Sequence, residues 1–220
     1  MRKLIVLLLF LVFLVLSACG ASRTYLVDIN YVPQIPPTLK VEPTTVAVAP
    51  FMDGRSHGND VGIRNKLDGS FDRYTTAPAT VGEAIRKAVE RFLRGNDLKT
   101  VNIETWDLRP ESLSQMETDM VVGGEISRFW VQADSMAGRT IIKTDIELTI
   151  YVGMPREGKV LSQKMQLSRE ITHIIFSSEK LEEMLNESLS DVIESAFAEL
   201  LTRSGIESPL LVFVMNEKTR

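Results

Sequence analysis

The side chains that could do chemistry in this sequence of 220 residues are few. There is one cysteine, Cys19, and there are two histidines, His57 and His173. Neither histidine has a cysteine or a second histidine at the spacing of metal ligands. No glycine-rich stretch ends in Gly-Lys-Ser or Gly-Lys-Thr, so a phosphate loop is not indicated. We expect no catalytic residue, no metal and no cofactor.

The residues before Cys19 indicate a role for this cysteine. Two basic residues near the start are followed by an apolar run, Leu4–Leu16, and by small residues. This order is typical of a secretory signal peptide over residues 1–18, and the run is too short to span a bilayer comfortably. The alternatives are a transmembrane helix, or a cleaved signal with an incidental cysteine.

The tetrapeptide Leu16-Ser17-Ala18-Cys19 is similar to the lipobox of bacterial lipoproteins, in which the cysteine is acylated and becomes the amino terminus. The resemblance implies a membrane anchor carrying fatty acids such as palmitate. Because Gly20 rather than aspartate follows, it also implies delivery to the outer membrane, facing the periplasm, in bacteria with two membranes.

The net charge limits the classes of partner that we expect for this protein. The net charge is −4, the isoelectric point is about 5.4, and no basic run is present. Affinity for polyanions needs clustered lysine and arginine, so nucleic acid is not an expected partner. We expect attachment to the membrane through the lipid and contact with another envelope protein.

The elements that position the remaining polar residues begin after a proline-containing stretch. Residues 19–43 are predicted to be a lipidated amino terminus and a tether, because proline favours extended chain. The alternative is that Tyr25–Val32 pairs at the edge of the sheet. A strand, Thr45–Phe51, is nearly all apolar and is predicted to be covered on both faces. The polar stretch 52–78 is predicted to be a long loop that is either functional or mobile.

The rest of the domain, 44–205, alternates clear helical and strand patterns. Thr80 and Glu83 form a capping-box pattern before a helix that stops at Gly95-Asn96, with Arg86 and Glu90 on its solvated side. Alternation predicts strands near 99–106, 119–134, 140–152 and 160–171, the last three as an antiparallel meander, and a second helix over 177–204. The predicted fold is α+β: a two-layer sandwich of a mostly antiparallel sheet with two helices on one face.

Asp53 and Arg55 form the candidate loop site. They follow the first strand, where a chain leaves a sheet and functional residues often lie. The alternative is a structural ion pair that holds the loop.

These features together resemble those of the YajG-type uncharacterised lipoproteins. The shared features are the lipobox, the Val-Ala-Val strand leading to Asp53-Gly54-Arg55, the Val61-Gly62 pair, the helix from Val81, and the late meander with its helix. The resemblance implies the fold and the envelope location. The long charged loop and the apolar tail depart from the family pattern.

The tail, 206–220, contains an uncharged apolar run, Pro209–Met215. Such a run needs a cover, either as an edge strand on its own domain or as a docking segment for a partner or a membrane.

Three functions fit these observations. The first is a non-catalytic binding or accessory/assembly module of the cell envelope. The second is a small-ligand or lipid-binding periplasmic module that uses a space lined by Ile85, Phe92 and Phe197. The third is a hydrolase built on Asp53, Arg55 or His57; we expect the chain not to be an enzyme.

Overall fold

The computed structural model describes residues 22–34 and 44–204. The predicted signal peptide, Cys19, the stretch 35–43 and the tail 206–220 lie outside these residues. The strands are β1 (Arg23–Leu26), β2 (Thr45–Val48), β3 (Met52–Asp53), β4 (Asp60–Asn65), β5 (Phe71–Thr75), β6 (Lys99–Asn102), β7 (Met120–Met136), β8 (Arg139–Met154) and β9 (Lys159–His173). The helices are α1 (Val81–Gly95), α2 (Ser178–Ser204) and a short 3₁₀ helix (Pro110–Gln115).

The long strand β7 organises one nine-stranded sheet. Along one side of β7 lie β2, β3 and β4, each parallel to a successive stretch of it, beginning with the pairs Val46–Met120, Met52–Glu125 and Gly62–Val131. On its other side β8 pairs antiparallel with β7, and β9 pairs antiparallel with β8. The predicted meander is therefore confirmed, and the α+β class with it.

The prediction of a mostly antiparallel sheet is wrong. Among the described residues five strand pairings are parallel and three are antiparallel. Three of the five parallel pairings involve residues 52–78, predicted as a loop, which contain β3 and the hairpin of β4 and β5. These short strands carry charged residues and lack a clear apolar alternation, so the pairing of β3 and β4 with β7, and of β5 with β1, is set by contacts distant in sequence.

The helix α1 begins as its capping pattern predicts. The Thr80 side chain accepts a hydrogen bond from the Glu83 amide at 3.2 Å. The Glu83 carboxylate, however, pairs with Arg86, which also pairs with Glu90. Arg86 and Glu90 are buried, which corrects the prediction that they are solvated. Burial is tolerated because each charge has an opposite partner one helical turn away.

Side chains from both helices and from the sheet form the larger core. The rings of Phe92 and Phe197 lie 4.8 Å apart within it, and Ile85 is fully buried. The three side chains that were predicted to line a ligand pocket, Ile85, Phe92 and Phe197, are thus packed within the larger core. This core establishes that the helices pack together with the sheet; the placement of both on one face stays a prediction.

A smaller core lies on the opposite face of β2. Val46 and Val48 belong to the larger core, while Ala47 and Ala49 pack in the smaller one with Trp106 and its neighbours. The predicted cover on both faces of this strand is confirmed, because consecutive strand residues point to opposite sides.

Candidate functional site

The predicted pair Asp53–Arg55 lies at the end of β3: Asp53 is its last residue and Arg55 follows in the loop. Arg55 donates through Nε to Asp53 Oδ1 at 2.9 Å and through Nη2 to Oδ2 at 2.8 Å. The Arg55 side chain is only 3% exposed. Burial opposes ionisation of Asp53, but the hydrogen bonds and charge of Arg55 outweigh it and lower the pKa of the carboxyl. The pair is a bidentate ion pair in which the Arg55 side chain is buried and the Asp53 side chain is 24% exposed.

The other donors of Arg55 point to the backbone. Nη1 donates to the carbonyls of Asp60, at 3.0 Å, and Phe129, at 2.9 Å, and Nη2 donates to the carbonyl of Gly58 at 2.8 Å. All five N–H groups of the guanidinium are thus used within the chain. The geometry pins the loop from β3 to β4 onto β7 and leaves the guanidinium no N–H for a ligand.

The same loop matches the Gly-x-Ser-x-Gly pattern at Gly54–Gly58, around Ser56. In a nucleophile elbow the serine stands on a sharp turn between a strand and a helix. Here the loop joins β3 to β4, which is a strand. His57, next to Ser56, has its ring against Trp130, with centroids 4.7 Å apart. The motif therefore lacks the elbow that gives the pattern its chemistry.

The structure does not bring the two histidines together. His57 lies in the loop beside β7, whereas His173 ends β9 and faces Thr140 across the ladder. Within residues 22–34 and 44–204, no group of three or more His, Cys, Asp or Glu side chains could hold a metal ion. None of the helices in those ranges is long and apolar enough to cross a membrane.

An open cleft of about 300 Å³ lies where β7 begins and β8 ends. Asp119 in its wall accepts hydrogen bonds from the Thr45 amide at 2.9 Å and from Arg156 at 2.7 Å. The other lining residues are Leu113, Ser114, Met116, Glu117, Thr118 and Pro155. This polar, open surface, which we call the distal cleft, suits contact with another protein better than enclosure of a small molecule.

The amino-terminal segment, which bears on the predicted lipidation site, is built into the fold. Strand β1 pairs parallel with β5, from Arg23–Asp72 to Leu26–Thr75. This corrects the predicted tether for residues 23–26, and the alternative of edge pairing over Tyr25–Val32 is confirmed for Tyr25 and Leu26. Only Gly20, Ala21 and Ser22 stand between Cys19 and β1 in the sequence.

Residues 27–34, which we call the strap, continue beside α2. The amides of alternate strap residues donate to side chains four positions apart on the helix: Asp28 to Glu182, Asn30 to Asn186, Val32 to Ser190 and Gln34 to Glu194. Two extended residues advance ~6.6 Å and four helical residues ~6.0 Å, so the two repeats stay in step. The ladder explains why α2 carries polar residues at this interval.

Further contacts fix the strap. The Asn186 side chain also donates to the Asp28 carbonyl at 2.9 Å, so this one amide both accepts from and donates to the strap. The Tyr31 hydroxyl donates to Glu194 at 2.6 Å. Burial, and then Glu194, raise the pKa of the Tyr31 hydroxyl. With Val27 and Ile29 in the larger core, the strap is a structural part of the domain.

Comparison with known proteins adds fold likenesses only. No family model matches the chain, and no curated protein matches it. Similar solved structures include a protein of the DUF330 family from Xanthomonas campestris, at 13% identity and a TM-score of 0.49, covering 89% of this chain and 99% of that one. The lipoprotein GNA1162 from Neisseria meningitidis has 12% identity and a TM-score of 0.37, with 68% and 98% covered.

A putative neuraminyllactose-binding hemagglutinin homolog from Helicobacter pylori has 11% identity and a TM-score of 0.41, with 77% of this chain and 88% of that one covered. At these values the likenesses assign no function. The resemblance to YajG-type lipoproteins stays a prediction.

Proposed function

We propose that this protein is a cell-envelope lipoprotein in which an acylated Cys19 anchors a non-catalytic binding or accessory module to the membrane. The observation that carries the proposal is the Leu16–Cys19 tetrapeptide after a basic start and an apolar run. Cys19 holds the only thiol of the chain, so a structural disulfide does not compete with acylation for it.

The polar groups of the described residues support a binding role over catalysis. Asp53 and Arg55, the strongest candidates for chemistry, bind each other, and Arg55 also donates to three backbone carbonyls of the chain. The distal cleft offers a polar surface in the size range of a side chain or short peptide segment rather than an enclosed pocket. We infer an envelope protein as the partner, contacted from a domain that sits in the periplasm at the outer membrane.

Metabolic labelling with palmitate tests the anchor. The wild-type chain should carry label, Cys19→Ser should carry none, and Ser22→Ala, outside the tetrapeptide, should be labelled like the wild type. Gly20→Asp should keep the label and, in a bacterium with two membranes, move the protein from the outer to the inner membrane fraction. Equal labelling of wild type and Cys19→Ser would refute the proposal.

Crosslinking in cells, followed by mass spectrometry, tests the binding role. The lipidated protein should form crosslinks to a defined envelope protein through residues of the distal cleft, such as Glu117. An Arg156→Glu variant should lose them, while a charge reversal on the outer face of β9, Lys164→Glu, should not. Crosslinks only between copies of this chain would count against an accessory role.

A further inference from the structure

The anchor and the fold meet at one end of the sheet. With three residues between Cys19 and β1, the Cα atom of Cys19 lies at most ~14 Å from that of Arg23 along a fully extended chain. The connection between Cys19 and the folded domain can become longer only if β1 separates from β5, and longer again only if the strap also separates from α2. Whatever surface holds the acyl chains therefore lies close to the start of β1.

The strand register shows which loops share that end. One row of paired residues crosses six strands: Arg23, Asp72, Arg64, Ala133, Ile142 and Ile171. Beyond this row, on the side of the amino terminus, lie the β4–β5 turn, the β7–β8 turn and the segment between β9 and α2. We call this end of the sheet the proximal end.

Exposed apolar side chains collect at the proximal end. Ile174 is 84% exposed, Ile175 78% and Leu67 71%, and Phe71 and Met136 also stand exposed there. They come from separate loops that the register brings together, and they are five of the eight large apolar side chains exposed in the described residues. Clustered exposed apolar side chains mark contact surfaces, whereas single ones do not.

We propose that the proximal end docks on the membrane leaflet that holds the acyl chains, with Leu67, Ile174 and Ile175 inserted among the lipids; this rests on the acylation of Cys19. The short connection is the argument for a bilayer as occupant, since it keeps these side chains within reach of the surface that the lipid enters. Apolar side chains at an interface enter ~5–10 Å into the boundary of head groups and acyl chains.

The proposal also orients the molecule. Strand β8 runs from the proximal end to the wall of the distal cleft, over 16 residues, or ~50 Å. Docking at one end therefore presents the distal cleft far from the lipid surface, where a second envelope component can reach it.

The test uses the full lipidated chain in vesicles of phosphatidylethanolamine and phosphatidylglycerol. Ile174→Cys and Leu67→Cys each place a thiol on an exposed proximal loop, and Glu157→Cys in the β8–β9 turn is the matched control. Since acylation blocks Cys19, each variant has one free thiol for a bimane label. Quenching is measured with nitroxide-bearing lipids and with aqueous iodide.

Labels at 174 and 67 are expected to be quenched by the nitroxide lipids and shielded from iodide, and the label at 157 to show the reverse. Equal iodide quenching at 174 and 157 would overturn the docking. Shielding of 174 from both quenchers would also overturn it, because protein, either a second copy or residues 206–220, would then cover this end. Two reactive thiols per chain would instead refute the acylation of Cys19, and the docking with it.

Discussion

Replacing Asn186 by alanine tests whether the strap is held by the polar ladder on α2. The Asn186 side chain makes two hydrogen bonds of 2.9 Å to strap backbone, one from the Asn30 amide and one to the Asp28 carbonyl. Each hydrogen bond contributes ~1 kcal/mol net, and a partly buried amide left without a partner adds a further cost. We expect Asn186→Ala to lower the free energy of unfolding by about 2–3 kcal/mol.

The assay has two readouts. Urea unfolding followed by tryptophan fluorescence measures the free energy, and the slope with urea should stay unchanged because the folded surface is similar. Hydrogen exchange measures local opening, and the amides of Asn30 and Val32 should exchange faster than those of β7, since the strap can detach while the sheet stays folded.

The neighbouring position gives a matched control. Glu187 is partly exposed on the same helix, and its contact with Arg169 is a surface ion pair of 3.7 Å. Such pairs contribute little, so Glu187→Ala should change the free energy by less than about 0.5 kcal/mol. Equal losses for Asn186→Ala and Glu187→Ala, or unchanged exchange at Asn30, would refute the ladder as the force that holds the strap.

Three further predictions use the same unfolding measurement. Arg55 lowers the pKa of Asp53 in the folded state, so the stabilisation from this pair is complete above the ordinary aspartate pKa of 3.8 and is lost as the pH falls through the lower, folded pKa; the cost of Asp53→Asn should therefore be largest at neutral pH and shrink as the pH falls below 3.8. A constant cost across pH would contradict this. A Cβ added at Gly124 would come within 2.3 Å of the buried Phe51 ring, so Gly124→Ala should lower the free energy of unfolding by ~1–3 kcal/mol. A Cβ added at Gly95 would meet no atom within 4 Å, so Gly95→Ala should raise the free energy of unfolding by up to ~1 kcal/mol. The pKa of the Tyr31 hydroxyl is raised in the folded state, so the stabilisation that this hydroxyl contributes is complete below pH 10 and falls as the pH rises above 10. Tyr31→Phe should therefore reduce the loss of stability at alkaline pH, and an unaltered alkaline profile would contradict this prediction.

Local patterns predicted the elements whose burial repeats along the chain. The stripe and cap of α1 and the alternation of β8 each identify an element without knowledge of its partner, because one face is apolar throughout. The pair Gly123-Gly124 in the sequence of β7 indicates a bulge or a close approach, and the structure has the close approach, with the Phe51 ring against Gly124. In these places local sequence and tertiary packing agree.

The missed elements are those whose partners are distant or polar. In β4 and β5, charged residues hide the strand pattern, and Asp72 is buried against Lys66. The strap depends on Asn186 and Ser190, which break the apolar pattern of α2 and give no sign of what they bind.

The Asp53–Arg55 pair shows the same limit at a candidate site. The spacing of the two residues in the sequence allowed their pairing to be predicted, either as a functional site or as a structural ion pair. Three of the five acceptors of Arg55 are backbone carbonyls, from Gly58, Asp60 and Phe129. A carbonyl is the same in every residue, so no sequence pattern can reveal it.

Strand β1 changes what an anchor at Cys19 can do, because it begins only three residues after the cysteine. A tether of about twenty residues would let the domain turn freely above the membrane, and the anchor would then set only its local concentration. A connection of ~14 Å beside a sheet whose longest strands run ~50 Å allows few orientations, because most of them would drive the domain into the bilayer. The pairing of β1 with β5 sets the length of this connection, because β1 lies between Cys19 and the strap; releasing the strap alone therefore adds no residue to the tether. Asn186→Ala should therefore loosen the strap but leave lipid quenching at position 174 nearly unchanged in the labelled, vesicle-bound protein; a clear loss of quenching would show that β1 detaches together with the strap.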